Sequence, residues 1–425
     1  MEDYQEILTE EIPDKGTLTA LKLFWLGFII YIVSFTISTS DQVNYVVCNI
    51  FQIFGLLLLV PSAILLIRFK FENKYLRIIY FLYCCWLLGV IIRGIEFDYL
   101  SVKRLLFDPN AGFFLYLVPL VMLFPKDPKY LKKVFDVIIF FCFVFFIYDL
   151  IFLKLLLYPL NDMRSQAIIE YFSQQLGLPS GFLLLTFVYH TRKRNLLVLI
   201  TLLFMFILTV IRARRGLMFM SFSMIAFSYF IYQLTNKEKV VTILFSLLLV
   251  LSIYYAGEKI YNENRKDTFF LITERIGQRT RTGVEQYFFS DLKTKDWILG
   301  RGINGKYFCP GVEEGIGRVS IFRRVIETGY LQVVLNGGLV SLGLLLLIAI
   351  PAIIKGLFFS KNILSKASGV WIFLFLLFMY PGTMTIFSLN YILVWMSIGI
   401  CYSNQIRYMS DTELIELLST KRKLF

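Results

Sequence analysis

The sequence predicts an all-α, polytopic integral membrane protein, and three observations lead there. Of 425 residues, 57% are hydrophobic and 17% aromatic, with a mean hydropathy of +0.69, well outside the make-up of a soluble globular chain. Apolar stretches near the roughly 20 residues that a helix needs to cross a bilayer recur from end to end. The alternating segments of about ten residues that mark a membrane barrel do not.

Taken in order, the apolar runs predict twelve spans over 18–38, 45–67, 78–92, 112–124, 134–157, 177–190, 196–211, 216–234, 240–256, 333–354, 369–385 and 387–403. The fourth and sixth are short, which leaves tilted or re-entrant segments open. The chain divides into a membrane part over 1–256 with spans one to nine, a large loop over 257–327, a second membrane part over 328–403 with the last three spans, and a tail over 404–425. The first residues, Met1 to Asp14, are acidic and no small-residue cleavage site follows the first apolar run, so that run is expected to stay as an anchor. The tail, SDTELIELLSTKRKLF, reads as an amphipathic helix with Ser410 and Glu413 as its capping box, lying on the inner surface.

Five of the six cysteines fall in apolar segments and Cys309 alone in the large loop, which argues against a disulfide framework and a cysteine metal site. The net charge of +13 is first a topology signal in such a chain, and no nucleic-acid partner is inferred from it. With the N-terminus inside, the inner connections hold Arg68, Lys70, Lys74 and Arg77, Lys126 to Lys133, Arg192 to Arg194, Lys237 and Lys239, and Lys355 to Lys366. Both tails are then inside. The short outer connections hold far fewer cations: Arg93, Lys103, Arg104, Lys154, Arg164 and one cluster.

That cluster, Arg212, Arg214 and Arg215 in TVIRARRGLMF, runs against the local charge rule. Snorkelling to lipid phosphates is one explanation. An anionic ligand is the other, because guanidinium forks suit phosphate oxygens and the helix starting at Gly216 points its positive end at the same place. The large outer loop carries thirteen basic and ten acidic residues and is expected to fold as a cap. In it, Arg275, Arg279 and Arg281 fall at helical spacing, and Arg318, Arg323 and Arg324 precede the next span; solvation of the cap and completion of an anion site are both open to them.

The loop also contains Gly300-x-Gly302-x-x-Gly305, a dinucleotide-binding pattern by letters alone. It lacks the βαβ frame, so the glycines are read as a tight turn with Trp297 as a packing anchor. Glu327, where the chain re-enters the membrane through Thr328-Gly329-Tyr330-Leu331, is either paired with Arg323 and Arg324 or placed as a general base. Asp149 and Lys154, at the outer end of the fifth span, are expected to form an interfacial salt bridge.

The arginine-rich outer turn IRARRGLMF, the WILGRG turn in the large loop and ETGYLQVVLNGGL after it, in this order over about residues 200–350, resemble the O-antigen polymerase and O-antigen ligase superfamily. The resemblance implies a C-type glycosyltransferase that works without metal or cofactor at the outer face of the bacterial cytoplasmic membrane. Its substrate would be an undecaprenyl-diphosphate-linked oligosaccharide, its other contacts membrane lipids, and a chain-length regulator an optional partner. It carries diphosphate binding onto Arg212, Arg214 and Arg215, and less directly onto Arg275, Arg279 and Arg281. Beside the resemblance, the reading of the residues themselves expects substrate binding by Arg318, Arg323, Arg324, Tyr330 and Trp297, and the catalytic base at Glu327.

Ligases of the superfamily have a histidine where this chain has Glu327, and the one histidine, His190, falls at an inner span end. The expectation is therefore an inverting polymerase. A ligase that transfers polymer to lipid A core is the alternative within the superfamily, and a transporter or flippase the alternative from another class. No internal repeat supports the transporter.

Overall fold

The computed structural model of the protein describes residues 15–40, 42–157, 163–235, 255, 282–310 and 321–419. Its helices in chain order are α1 (Lys15–Ser38), α2 (Tyr45–Leu66), α3 (Lys74–Gly94), α4 (Tyr99–Phe107), α5 (Pro128–Ile151), α6 (Leu153–Leu157), α7 (Met163–Phe172), α8 (Ser180–Leu185), α9 (Arg192–Ile211) and α10 (Arg215–Thr235). Beyond the first gap come α11 (Thr282–Asp291), α12 (Thr294–Leu299), α13 (Gly329–Phe358), α14 (Ile363–Phe378), α15 (Leu389–Tyr402), α16 (Asn404–Tyr408) and α17 (Asp411–Ser419). The strands β1 (Tyr307–Phe308) and β2 (Phe322–Arg323) pair antiparallel, Tyr307 opposite Arg323.

Seven of the described helices are long and apolar enough to cross a membrane: α1, α2, α3, α5, α9, α10 and α13. Short polar residues set where several begin. Asn73, Asp98, Asp127 and Asn362 each accept a backbone N–H of the first turn, at 2.8–3.0 Å, satisfying donors that a helix start leaves open. Small residues set how closely α1 and α2 pack. A Cβ at Gly27 would stand 2.5 Å from Gly55 O, so the two backbones approach where only glycine fits.

The two short spans are irregular. Phe113–Leu123 is a 3-10 helix of 11 residues with Pro119 inside it; at about 2.0 Å of rise per residue it reaches only about 22 Å, short of a hydrocarbon core about 30 Å thick. The region predicted as the sixth span is a π-helical turn over Ser173–Gly177, then α8, then a 3-10 turn over Phe187–Tyr189. The expected ninth span, 240–256, falls outside the described residues except for Tyr255.

The connections assigned from charge to one side meet at one end of the bundle. Arg68 donates its N–H to Leu123 O at 2.9 Å and its side chain to Thr17 Oγ1 at 2.8 Å. Glu72 accepts from Ser403 Oγ and Asn404 N at 2.9 and 2.8 Å, and Asn362 Nδ2 donates to Ile406 O at 2.6 Å. The tail helix α17 has its Ser410–Glu413 capping box. It docks instead of lying free: Tyr189 Oη donates to Asp411, whose Oδ1 accepts Ile363 N at 2.9 Å, while Leu414 and Leu418 are buried.

The described part of the large loop, 282–310 and 321–327, forms a cap at the other end. Phe288, Leu292, Tyr307, Cys309 and Ile326 cluster with Val334 and Leu335 of α13, and Trp297 stacks on Phe289 at 5.8 Å. Arg301 locks it, donating to Asp291 Oδ2 at 2.5 Å, Asp296 Oδ2 at 2.8 Å, Lys306 O at 2.6 Å and Asp291 O at 2.8 Å.

The glycine turn docks that cap into the membrane part. Gly300, Gly302 and Gly338 all have positive φ, of 73°, 86° and 69°, and Gly338 breaks α13 in two. The break frees carbonyls that the turn then satisfies: Arg301 N donates to Leu335 O at 2.7 Å and Gly302 N to Asn336 O at 2.9 Å, while Trp86 Nε1 donates to Gly337 O at 2.8 Å. Broken spanning helices persist where such partners exist. A Cβ at Gly300 would lie 2.5 Å from Gly338 N, and one at Gly302 2.7 Å from Gly94 Cα. The motif is backbone against backbone, with no nucleotide fold around it among the described residues.

Candidate functional site

The arginine turn depends on one strained residue. α9 ends at Ile211, the Arg212 and Ala213 N–H groups close back onto Leu208 O and Val210 O, and Ala213 takes φ +51°, a left-handed conformation costly for a residue with a Cβ. Helix α10 starts two residues later at Arg215. So sharp a reversal sends neighbouring side chains to different places.

Arg212 is fully buried and donates Nη2 to Leu155 O at 2.6 Å. It does not line the cavity that its neighbours line, which corrects its assignment to diphosphate: its guanidinium fastens the α5–α6 corner to the end of α9. Arg214 and Arg215 do line that cavity, together with Gly216 and Leu217 of the first turn of α10. Arg214 Nη1 lies 3.3 Å from Glu170 Oε2.

The cavity, of about 590 Å³, opens at the cap end of the bundle and collects residues from distant parts of the chain. Arg104 and Asp108 come from α4 and its C-terminus, and Glu170, Tyr171 and Gln174 from α7 and the π-helical turn. Arg324 and Glu327 come from the link between β2 and α13, Gln332 and Asn336 from α13 itself, and Pro381 to Thr383 from the α14–α15 connection. Four guanidinium groups and three carboxyl groups thus share one chamber, with the N-terminus of a 21-residue helix in its wall. Such an end carries partial positive charge and favours anions.

The 324–327 link is held in place by its neighbours. Gln332 Oε1 accepts Ile326 N at 2.8 Å and its Nε2 donates to Arg324 O at 3.3 Å, while Thr383 Oγ1 donates to Ile326 O at 3.0 Å. Thr328 Oγ1 donates to Glu285 Oε1 at 2.6 Å, tying the link to the cap. Asn336 completes this wall by donating to Tyr116 Oη at 3.0 Å. A backbone fixed from both sides presents Arg324 and Glu327 without further ordering.

Of the residues proposed from sequence, Arg214, Arg215, Arg324 and Glu327 are brought together here. Three others are not in the cavity wall. Trp297 belongs to the cap core, Tyr330 donates its hydroxyl to Leu376 O at 2.5 Å, and Arg323 stands in β2 opposite Tyr307. These are packing and folding contacts, and none of the three lines the cavity that gathers the other candidates. Arg275, Arg279, Arg281 and Arg318 lie outside the described residues.

The expected Asp149–Lys154 salt bridge is absent among the described residues: Asp149 is fully buried and Lys154 exposed. His190 sits at the end opposite the cavity, its Nε2 3.0 Å from Thr186 Oγ1 and its ring edge-on to Phe135.

Sequence reasoning missed Arg104, Asp108, Glu170 and Gln174. Arg104 was counted only as one outer cation, although it lines the cavity and bonds Asn304 of the glycine turn. The signal near it was the turn sequence Asp108-Pro-Asn-Ala-Gly112, in which Asp108 Oδ1 accepts Asn110 N at 2.8 Å.

No family model, no curated protein and no solved structure matches the chain.

Proposed function

We propose that the protein is a polymerase of a surface polysaccharide, O-antigen or related, which transfers glycan repeat units between undecaprenyl-diphosphate carriers at the outer face of the bacterial cytoplasmic membrane. The observation that carries this reading is the convergence of Arg214, Arg215, Arg324 and Arg104 with the N-terminus of α10 around one chamber at the cap end. The resemblance of the arginine turn, the glycine turn and the ETGYL segment to the O-antigen polymerase superfamily supports the substrate class.

The chemistry needs little more than such a chamber. A sugar on diphosphate already has a good leaving group, so the enzyme holds the diphosphate, offsets the charge that grows as the bond breaks, and removes a proton from the acceptor hydroxyl. Guanidinium groups and a helix N-terminus suit the first two tasks. A cavity carboxylate suits the third, with Glu327 the candidate read from sequence. Attack opposite the leaving diphosphate inverts the anomeric centre.

Deletion of the gene in its host, followed by gel analysis of surface polysaccharide, tests this. Single-repeat caps on lipid A core are expected. Polymer left on the lipid carrier would make the protein a ligase, and unchanged polysaccharide with a transport defect would remove both enzyme readings in favour of a transporter or flippase.

A further inference from the structure

The chamber holds three carboxyl groups, and they are not equivalent. Glu170 faces Arg214 at 3.3 Å, which suits it to balance a guanidinium. Glu327 is solvent-exposed, which suits it less to a step that excludes water. Asp108 sits in the wall, half-buried, on a backbone that three other elements hold.

Three elements hold that backbone by carbonyls on both sides of Asp108. Tyr31 Oη of α1 donates to Leu106 O at 2.9 Å, Gln52 Nε2 of α2 donates to Phe107 O at 3.1 Å, and Phe387 N of the α14–α15 connection donates to Pro109 O at 2.8 Å. Gly112 closes the turn where a Cβ would lie 3.0 Å from Leu105 O and closer still to Asp108 O. Tyr31 and Gln52 are themselves buried, so the polar groups of α1 and α2 at this depth are committed to the loop that carries Asp108. A group that takes a proton at a reacting centre needs such placement.

On the polymerase reading, on which this rests, we propose that Asp108, in place of Glu327, takes the proton from the acceptor hydroxyl. The hydroxyl oxygen bonds to the anomeric carbon, the bond from that carbon to the diphosphate oxygen breaks with its electron pair leaving on the diphosphate, and the hydroxyl proton passes to the Asp108 carboxylate. The charged groups that share the chamber with Asp108 are Arg104 on its own helix, Glu170 on α7, Arg214 and Arg215 at the α9–α10 turn, and Arg324 and Glu327 before α13. Burial pushes the Asp108 carboxyl above the usual carboxylate range, although the Asn110 and Ala111 N–H groups pull it down. A base raised in this way is active above its pKa and is lost as pH falls through it, so the acid limb of the rate profile belongs to Asp108.

The test is steady-state transfer by the full-length protein in membranes, with polyprenyl-diphosphate oligosaccharide extracted from the deletion strain as substrate. Asp108→Asn is isosteric and its Oδ1 still accepts Asn110 N–H, so the turn survives. The expected result is a kcat lower by about 10²–10⁴-fold, an unchanged KM for the lipid-linked donor and a vanished acid limb. Glu327→Gln keeps the acid limb. Wild-type kcat and an intact limb in Asp108→Asn, or loss of the limb in Glu327→Gln, overturns the assignment while leaving the polymerase reading in place. A wild-type protein that forms no polymer from this substrate overturns the polymerase reading and the assignment with it.

Discussion

Replacing Gly338 with alanine removes the condition on which the cap docks. Gly338 has φ +69° and ψ −177°, a region almost closed to residues with a side chain, and alanine held there costs about 1–3 kcal/mol. The added Cβ would also stand 2.6 Å from Leu299 N and closer still to the Ile298 carbonyl, where real Cβ contacts do not fall below 3.0 Å. The α12 turn must withdraw, and with it the bonds of Arg301 N to Leu335 O and Gly302 N to Asn336 O. Each contributes about 0.5–1.5 kcal/mol, so the whole change comes to about 2–6 kcal/mol. Thermal unfolding in detergent, followed by Trp297 fluorescence and by protease cleavage within 282–310, reads this loss. Gly343→Ala is the control, because nothing lies within 4 Å of its Cβ; alanine there is neutral or stabilising by about 0.4–1 kcal/mol. If Gly338→Ala stays within about 0.5 kcal/mol of wild type and the cap resists protease as before, the docking argument is refuted.

Arg301→Met leaves Asp291 and Asp296 facing each other without their cation; with an Arg301 side chain 22% exposed, the expected loss is about 2–3 kcal/mol, below that of a fully buried pair. Burial alone would raise the Asp296 carboxyl, but its bonds from Arg301 and Lys293 N hold it below the usual range. Its contribution is therefore full above about pH 4 and lost as pH falls through the lowered value, so protease sensitivity of the cap should rise in acid and this rise should vanish in Arg301→Met. On the polymerase reading proposed above, Arg214→Ala and Arg215→Ala should each weaken polyprenyl-diphosphate binding by about 10- to 150-fold, as befits one charge-assisted contact, whereas Arg212→Ala should lower stability. Weakened binding in Arg212→Ala at unchanged stability would contradict its placement. In a cysteine-free background, Tyr99→Cys and Phe359→Cys, at positions 77% and 59% exposed, should react with an impermeant thiol reagent from opposite membrane faces. Ala213 is unsuited to this, being 3% exposed with positive φ.

Much of the architecture was legible because the bilayer imposes it on composition: a chain this apolar must pair its backbone internally, and run lengths then mark the long helices. The irregular fourth and sixth spans were legible only as short. Hydropathy measures how apolar a segment is and does not register which backbone bonds it makes, so a 3-10 run with an internal proline and a π-helical turn look alike to it. Gly27 and Gly55 show the same limit, since neither is unusual until the other is known to face it.

At the cavity, the sequence alone determined that arginines recur at one turn, that a glycine turn sits in the loop, and that Glu327 precedes a span. Only tertiary structure decided which of them share a chamber. The left-handed Ala213 separates Arg212 from Arg214 and Arg215 within four residues, and no periodicity encodes a single backbone reversal. Arg104 and Asp108 reach the chamber because α1, α2 and the α14–α15 connection hold the carbonyls beside Asp108. Those bonds join positions 31, 52 and 387 to 106, 107 and 109, separations over which local spacing carries no information about who meets whom.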